Sequence, residues 1–409
     1  MTQLDLDFVR SQFPAFAEPS LQRWRFFENA GGSYACQQVI DRLTNFYTRT
    51  KVQPYGEYPT SIAAGEDMDS ARDRMAAYLN VSSEELLIGP STTQNTYVLA
   101  QAFRAGWSEG DEIIITDQDH EANIGAWRRL EETGIIVKEW SAEPEADGRL
   151  DPAALDNLLT DRTKLVAFTH CSNIIANPNP VAEIAAKAQA VGARTVVDGV
   201  SYAPHGLPDV TALGADVYLF SAYKTYGPHQ GVMVVRRETM AELENQSHYF
   251  NDGYASKRLV PAGPDHAQVA ALNGVVDYLD ALHAHHFTDA AEPQERARRT
   301  HDLMVAHERN ALAPLLEFLD ARNDLRVLGP VDPVERAPTV ACDTAKPPEM
   351  LAKALAEHGI MAGWSDFYAP RILKRMGVDP ERGVLRLSFV HYTTHKDVDA
   401  LIEALDHVL

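Results

Sequence analysis

The sequence predicts an α/β protein: a large domain on a mostly parallel seven-stranded sheet with helices on both faces, then a smaller α+β domain at the C-terminal end. Three observations carry this. Between residues 86 and 236, short β-rich apolar runs alternate with segments of helical period, as parallel strands joined by crossover helices do. From Pro264 onward the pattern changes to long amphipathic helices with few, short strands. The 409 residues, at about 150 per domain, leave room for two to three cores.

The elements follow in chain order. Residues 1–30 precede the first helix, are too short to fold alone, and are expected to pack as an arm on the C-terminal part. Seven runs read as strands: Leu86 to Gly89, Glu112 to Thr116, Ile135 to Trp140, Lys164 to Thr169, Arg194 to Val197, Val217 to Ser221 and Gly231 to Arg236. Between them Thr93 to Arg104, Asn123 to Glu132 and Ala182 to Val191 are long enough for crossover helices. These elements make up a large domain over residues 31–275. The helices Ala267 to His283 and Gln294 to Ala321 lead into a small domain over residues 276–409, with strands near Val340 and Leu385.

Composition excludes several classes. Apolar residues are 45% and charged residues 23%, which fits a folded globular chain and neither a disordered nor a fibrous one. With 37 Lys and Arg against 58 Asp and Glu, the net charge is −21, a field that repels phosphate backbones and anionic lipid. Nucleic-acid and membrane partners are therefore not expected. Cys36, Cys171 and Cys342 are spaced too irregularly for a disulfide framework or a zinc knuckle, which points to a reducing cytoplasm. The start MTQLDLDFVR lacks the basic end of a signal peptide.

Two strand ends carry the chemistry. Asp198 ends TVVD, at the carboxyl edge of the sheet where such folds bind ligands; a plain turn cap next to Gly199 is the alternative. Lys224 ends VYLFSAYK, 26 residues later. Burying its ammonium is costly unless it is paired or neutralised, and a neutral amine can form an imine with a carbonyl. A carboxylate and such a lysine at adjacent strand ends are the two groups that pyridoxal phosphate needs, the lysine for the aldehyde and the acid for the pyridine nitrogen. Ser91-Thr92-Thr93, between the run LLIG and a helix, offers hydroxyls and free N–H groups to a phosphate, unless it is simply an N-cap. Ser221 adds a hydroxyl at the same edge.

The stretches GPSTTQNT, DHEANIGAW, THCSNIIANPNP, VVDGVSYAPHG, SAYKTYGPHQG and LRLSFVHYTTHKDVD resemble, in this order, the class V aminotransferases, and most of all their cysteine desulfurase branch. The resemblance runs over nearly the whole chain. It implies the fold-type-I architecture of pyridoxal phosphate enzymes. By it Lys224 carries the cofactor, Asp198 pairs with the pyridinium, and Thr92 and Thr93 belong to the phosphate cup. Asn173 contacts the ring oxygen and the substrate carboxylate, His120 stacks on the cofactor face, and Arg386 forks onto the carboxylate. The alternative for His120 is capping, or a metal site with Asp117, Asp119 and Glu121.

Departures from the branch matter as much. Desulfurases use a cysteine on a mobile loop before the Arg386 strand, and here GIMAGWSDFYAPRILKRMG contains none. Cys342 reads as a buried strand residue, and Cys171 lies near the site without a loop's reach. Tyr223 stands where desulfurases carry histidine, and Ser201 where they carry glutamine. Tyr223 either serves the phosphate and proton transfer, as in kynureninase, or packs at a strand end. The resulting expectation is an enzyme of a small α-amino acid, β-eliminating in the manner of a C–S lyase. The alternatives are a transaminase, a cofactor-retaining binding module, and a metal-dependent hydrolase. The family's two-fold dimer implies a homodimer in which Tyr55 or Tyr58, from VQPYGEYPTS, lines the other subunit's substrate pocket and His266 approaches its phosphate.

Overall fold

A computed structural model describes residues 3–409. All seven apolar runs enter one sheet: β1 (Leu86–Gly89), β2 (Glu112–Thr116), β3 (Ile136–Trp140), β4 (Thr163–Thr169), β5 (Arg194–Asp198), β6 (Val217–Ser221) and β7 (Gly231–Val235). Their spatial order is β1-β7-β6-β5-β4-β2-β3. Only β7 runs against its neighbours, antiparallel to both β6 and β1. β4 to β7 are buried almost throughout, the consequence of helices on both faces. β3 closes one edge and is partly exposed, with Ile136 open to solvent.

The covering helices include α1 (Gln37–Asn45), α2 (Pro59–Tyr78), α3 (Thr92–Arg104), α4 (Glu121–Arg128) and α5 (Val181–Ala190). α4 differs from the sequence reading. It starts two residues early, because His120 caps it, and passes at Arg129 into a 3-10 turn that Gly134 ends at φ 85°. α6 (His266–His286) packs on α1 and α2, so this helix covers the large domain rather than opening the small one.

α7 (Pro293–Asp320) leads into a four-stranded antiparallel sheet, in order β10-β11-β9-β8, of β8 (Leu325–Leu328), β9 (Thr339–Thr344), β10 (Gly363–Ser365) and β11 (Val384–Ser388). α8 (Pro348–Glu357), α9 (Pro370–Arg375) and α10 (His395–Val408) complete this part. The N-terminal arm runs along it. Arg25–Phe26 pairs parallel with Ile360–Met361, and Asp397 on α10 takes both Arg10 and Arg25 at 2.9 and 3.0 Å. The arm also reaches α6 and the large domain, where the Phe13 ring meets Tyr226, Tyr278 and Tyr392 edge-on. Among the described residues, no helix is long and apolar enough to cross a membrane.

Candidate active site

The parallel strands β4, β5 and β6 end side by side, with Thr169 opposite Asp198 and Asp198 opposite Leu219. Their carboxyl ends open into a cavity of about 290 Å³ that Lys224 and Asp198 both line. Asp198 is buried, and its Oδ1 accepts the Val200 N–H at 2.8 Å. The turn cap is therefore real, and it coexists with a place in the cavity. Burial pushes this carboxyl above its usual value, while the Val200 N–H and the Lys224 charge pull it back. Lys224 follows β6 in the short turn Ala222–Lys224 and is 8% exposed. Among the described residues no carboxylate lies within salt-bridge distance of it. Burial and then Arg386 bring its pKa down to about 8, against the opposing pull of Asp198 and Glu28.

Beside them the N-terminus of α3 forms a cradle. The Gln94 N–H donates to Ser91 Oγ at 3.1 Å, so Ser91 is a true N-cap. Thr92 Oγ1 and Ser221 Oγ meet at 2.7 Å across 129 residues of sequence. Gly231 on β7 allows this approach, since a Cβ there would lie 2.4 Å from Ser91 C and 2.5 Å from Thr92 N. Thr93 and Ser201 also line the cavity, as does Tyr223, whose ring stacks on His229 at 4.7 Å. Tyr223 thus packs at the strand end and also lines the cavity.

His120 likewise does two things. Its Nδ1 accepts the Ala122 N–H at 2.9 Å, capping α4, so the ring proton belongs on Nε2. Burial, then the charges of Lys224 and Arg386, push it down to about 3, and the ring is neutral. The acids beside it do not gather around it. Asp117 accepts from the Ala142 N–H and from Arg375, both at 2.7 Å, and Asp119 accepts from Thr116 and Asn123. Among the described residues, no three His, Cys, Asp or Glu side chains are arranged to hold a metal ion.

Arg386, on β11, is 3% exposed and engaged in a way the sequence reading missed. Its Nη2 donates to Glu28 Oε1 at 2.6 Å, and the Phe367 ring lies 3.6 Å from the guanidinium carbon. The Phe367 carbonyl accepts from Asn173 Nδ2 at 3.0 Å. Arg386 Nε, Asn173 Oδ1 and Glu28 Oε2 remain buried without hydrogen-bond partners. One loop thus covers both groups assigned to the substrate carboxylate. Phe367 and Tyr368 hold φ of 49° and 55°, left-handed values that cost a non-glycine residue energy and that the sequence does not advertise. Glu28 had a signal: an acid inside FFENAGG, a run otherwise apolar or small, needs a cation when it folds inward.

Tyr55, Tyr58 and His266 do not line the cavity of their own chain. Tyr55 is 59% exposed, with its hydroxyl on Asp69 at 2.9 Å, and Tyr58 is 49% exposed. The three cysteines are all buried and unbridged. Cys171 touches the cavity, but its thiol donates to the Ala176 carbonyl at 3.2 Å. Burial pushes each thiol up to about 12.

These residues fit pyridoxal phosphate on three structural grounds. Glycine at 231 leaves the start of α3 and the Thr92–Ser221 hydroxyl pair free to cradle a phosphate. Lys224 presents an amine that is half neutral near pH 8, with Asp198 in the same cavity. Asn173 Oδ1 is a buried polar atom lacking a partner.

The Aminotransferase class-V family matches residues 25–401. An aminotransferase-like protein of Gibberella zeae is 34% identical, over all of this chain and 99% of its own length. A cysteine desulfurase of Serratia proteamaculans is 29% identical over 98% of each. In fold, the apo structure of a cysteine desulfurase from Thermococcus onnurineus NA1 superposes with a TM-score of 0.86 at 22% identity, covering 100% of this chain and 99% of that one. The chain belongs to the class-V aminotransferase family, whose members are pyridoxal phosphate-dependent enzymes.

Proposed function

We propose that this protein binds pyridoxal phosphate on Lys224 and eliminates a leaving group from Cβ of a small α-amino acid, in the manner of a C–S lyase. When bound, the cofactor supplies an electron sink for the pair left at Cα. The chain's own residues do the rest. Thr92, Thr93 and Ser221 would hold the phosphate, with Ser201 and Tyr223 lining the same cavity. Asp198 would keep the ring nitrogen protonated, and neutral His120, which lines the same cavity, would stack on the ring. Arg386 and Asn173 take the substrate carboxylate once Glu28 and Phe367 release them. Lys224 then removes the Cα proton.

The observation that carries elimination over desulfuration is the state of the thiols. None lies on the loop before β11, and burial raises the pKa of all three, so no thiolate is placed to attack a substrate sulfur. Transamination is the second reading, favoured by the likeness to the aminotransferase-like protein. Buried, unbridged cysteines also suit a reducing cytoplasm. We further propose a homodimer in which exposed Tyr55 and Tyr58 line the partner's substrate pocket and His266 approaches its phosphate.

Borohydride reduction should fix the cofactor to the peptide bearing Lys224. β-Substituted amino acids should then yield pyruvate and ammonia, with sulfide from cysteine. Keto acid formed only with an amino acceptor present would establish transamination instead. No α-proton exchange into deuterated water with any amino acid would leave a binding module.

A further inference from the structure

A second, more open chamber of about 670 Å³ adjoins the cofactor cavity, and the two share Thr93, His120, Ala122 and Tyr223. Anything reaching Lys224 through it passes its outer wall. That wall carries three arginines, Arg128 and Arg129 at the end of α4 and Arg371 on α9. In a chain of net charge −21, three guanidinium groups around one mouth run against the prevailing field.

Their charges are incompletely met. Arg128 pairs with Glu139. Arg371 Nε lies 3.1 Å from Glu121 Oε1, but the two are not aligned for a hydrogen bond, and both atoms are buried without a hydrogen-bond partner. Arg128 Nε is a third such atom. Arg129 has no carboxylate partner among the described residues; its guanidinium sits 5.7 Å from the centre of the Tyr97 ring. Arg129 therefore brings one full positive charge to a chamber that also holds the exposed Tyr368 ring, and two of the guanidinium groups lining it each keep an unused N–H donor buried behind the wall. Planar N–H donors in this number suit a carboxylate or a phosphate, which accepts two or more at once.

We infer that the substrate carries a second anionic group on its side chain, a carboxylate or a phosphate, which Arg129 and Arg371 hold while its amino group reacts at Lys224. This rests on the proposed function and narrows its substrate class. Among the described residues Glu121 is the only acid lining the chamber, and an incoming anion would draw the Arg371 guanidinium away from the carboxylate that meets its buried Nε so poorly.

The test titrates the holoenzyme with amino acids and follows the cofactor's absorbance. L-Glutamate and L-2-aminoadipate represent the carboxylate, and O-phospho-L-serine the phosphate. L-Glutamine and L-serine are the neutral counterparts. At least one anionic ligand should bind about tenfold or more tightly than its counterpart, a difference of about 1.4 kcal/mol. The stronger arm identifies which anion is used. The Arg129→Gln/Arg371→Gln variant should remove the preference and leave the neutral ligands unchanged. Arg129 is exposed and unpaired, so Arg129→Gln alone, expected to lose part of the preference, guards against misfolding. Equal affinities in the wild type, or a preference that survives the double variant, would overturn the inference. Calorimetry with glutarate and inorganic phosphate, which lack an amine, scores the arginines independently of the cofactor. Binding lost in the double variant supports them, and binding absent from the wild type counts against them. Failure of borohydride to label Lys224 would strike the proposed function alone.

Discussion

An amine with the ordinary lysine pKa is protonated at neutral pH and cannot add to an aldehyde; burial beside Arg386 brings Lys224 to about 8. Half of it is then neutral at pH 8, and the neutral fraction falls as pH drops below that. The rate of cofactor capture should accordingly rise about tenfold per pH unit up to about 8 and level off above, followed by the appearance of the bound chromophore. A rise continuing to pH 10 would show an unperturbed amine. That Lys224 and Asp198 lie buried at one cavity was legible because a polar residue ending a buried apolar run has few innocent explanations. Glu28 and Phe367 were not, because their importance lies in what folds against them. Glu28→Gln keeps a hydrogen-bond acceptor for Arg386 but removes the negative charge that competes with a substrate carboxylate. KM for an α-amino acid should fall several-fold with kcat little changed. Glu28→Ala leaves a buried guanidinium short of an acceptor and should cost about 1–3 kcal/mol in thermal or urea unfolding.

Elements were read more faithfully than residues, for a reason visible in β4 to β7. A strand buried on both faces is an unbroken apolar run, and Gly or a polar turn bounds it. The reversed direction of β7 is not written in its composition, since GVMVV would pack equally well either way. What reverses it is the short connection over residues 222–230, which includes the 3-10 turn Ala222–Lys224 and is too brief for a crossover. That reversal brings Gly231, the first residue of β7, against the start of α3. Gly231→Ala would drive a methyl group to within 2.5 Å of the Ser91 and Thr92 backbone, where no flexible side chain can yield. The end of α3 must then move and the Thr92–Ser221 contact must open. The expected outcome is a loss of cofactor affinity on the order of tenfold or more, measured by equilibrium dialysis with pyridoxal phosphate. Pyridoxal lacking the phosphate should be much less affected, and equal losses for both would place the damage outside the cradle. α4 shows the opposite lesson. Its apolar pattern runs on past Arg128, but the backbone tightens into a 3-10 turn there, which turns Arg129 toward solvent at the chamber mouth.

At the scale of the whole molecule, large-domain residues line the cavity, and the other two parts of the chain approach it indirectly: Asn173 in the lining donates to the Phe367 carbonyl, and Phe367 covers the pair that Arg386 makes with Glu28 of the arm. The arm is too short to fold alone, which pointed to packing on the C-terminal part, yet its contacts extend to α6 and to Tyr226 just past Lys224. A segment that ties both domains together leaves the segment 51–58 as the conspicuous loose end. Tyr55 and Tyr58 expose roughly half of themselves beside Ile62, a cluster of large apolar side chains on the surface of an otherwise strongly charged protein. A two-fold interface is the common way to cover such a face, and in the proposed dimer it would bring this loop to the partner's site. Light scattering should therefore give twice the chain mass. Subunits carrying Lys224→Ala and subunits carrying Tyr55→Ala/Tyr58→Ala should each be nearly inactive alone. Mixed, they form heterodimers in which one site combines an intact lysine with intact tyrosines from its neighbour, while the other site has lost both. Activity should return toward half of one wild-type dimer in every heterodimer formed. If subunit exchange is confirmed and no activity returns, the tyrosines serve their own chain.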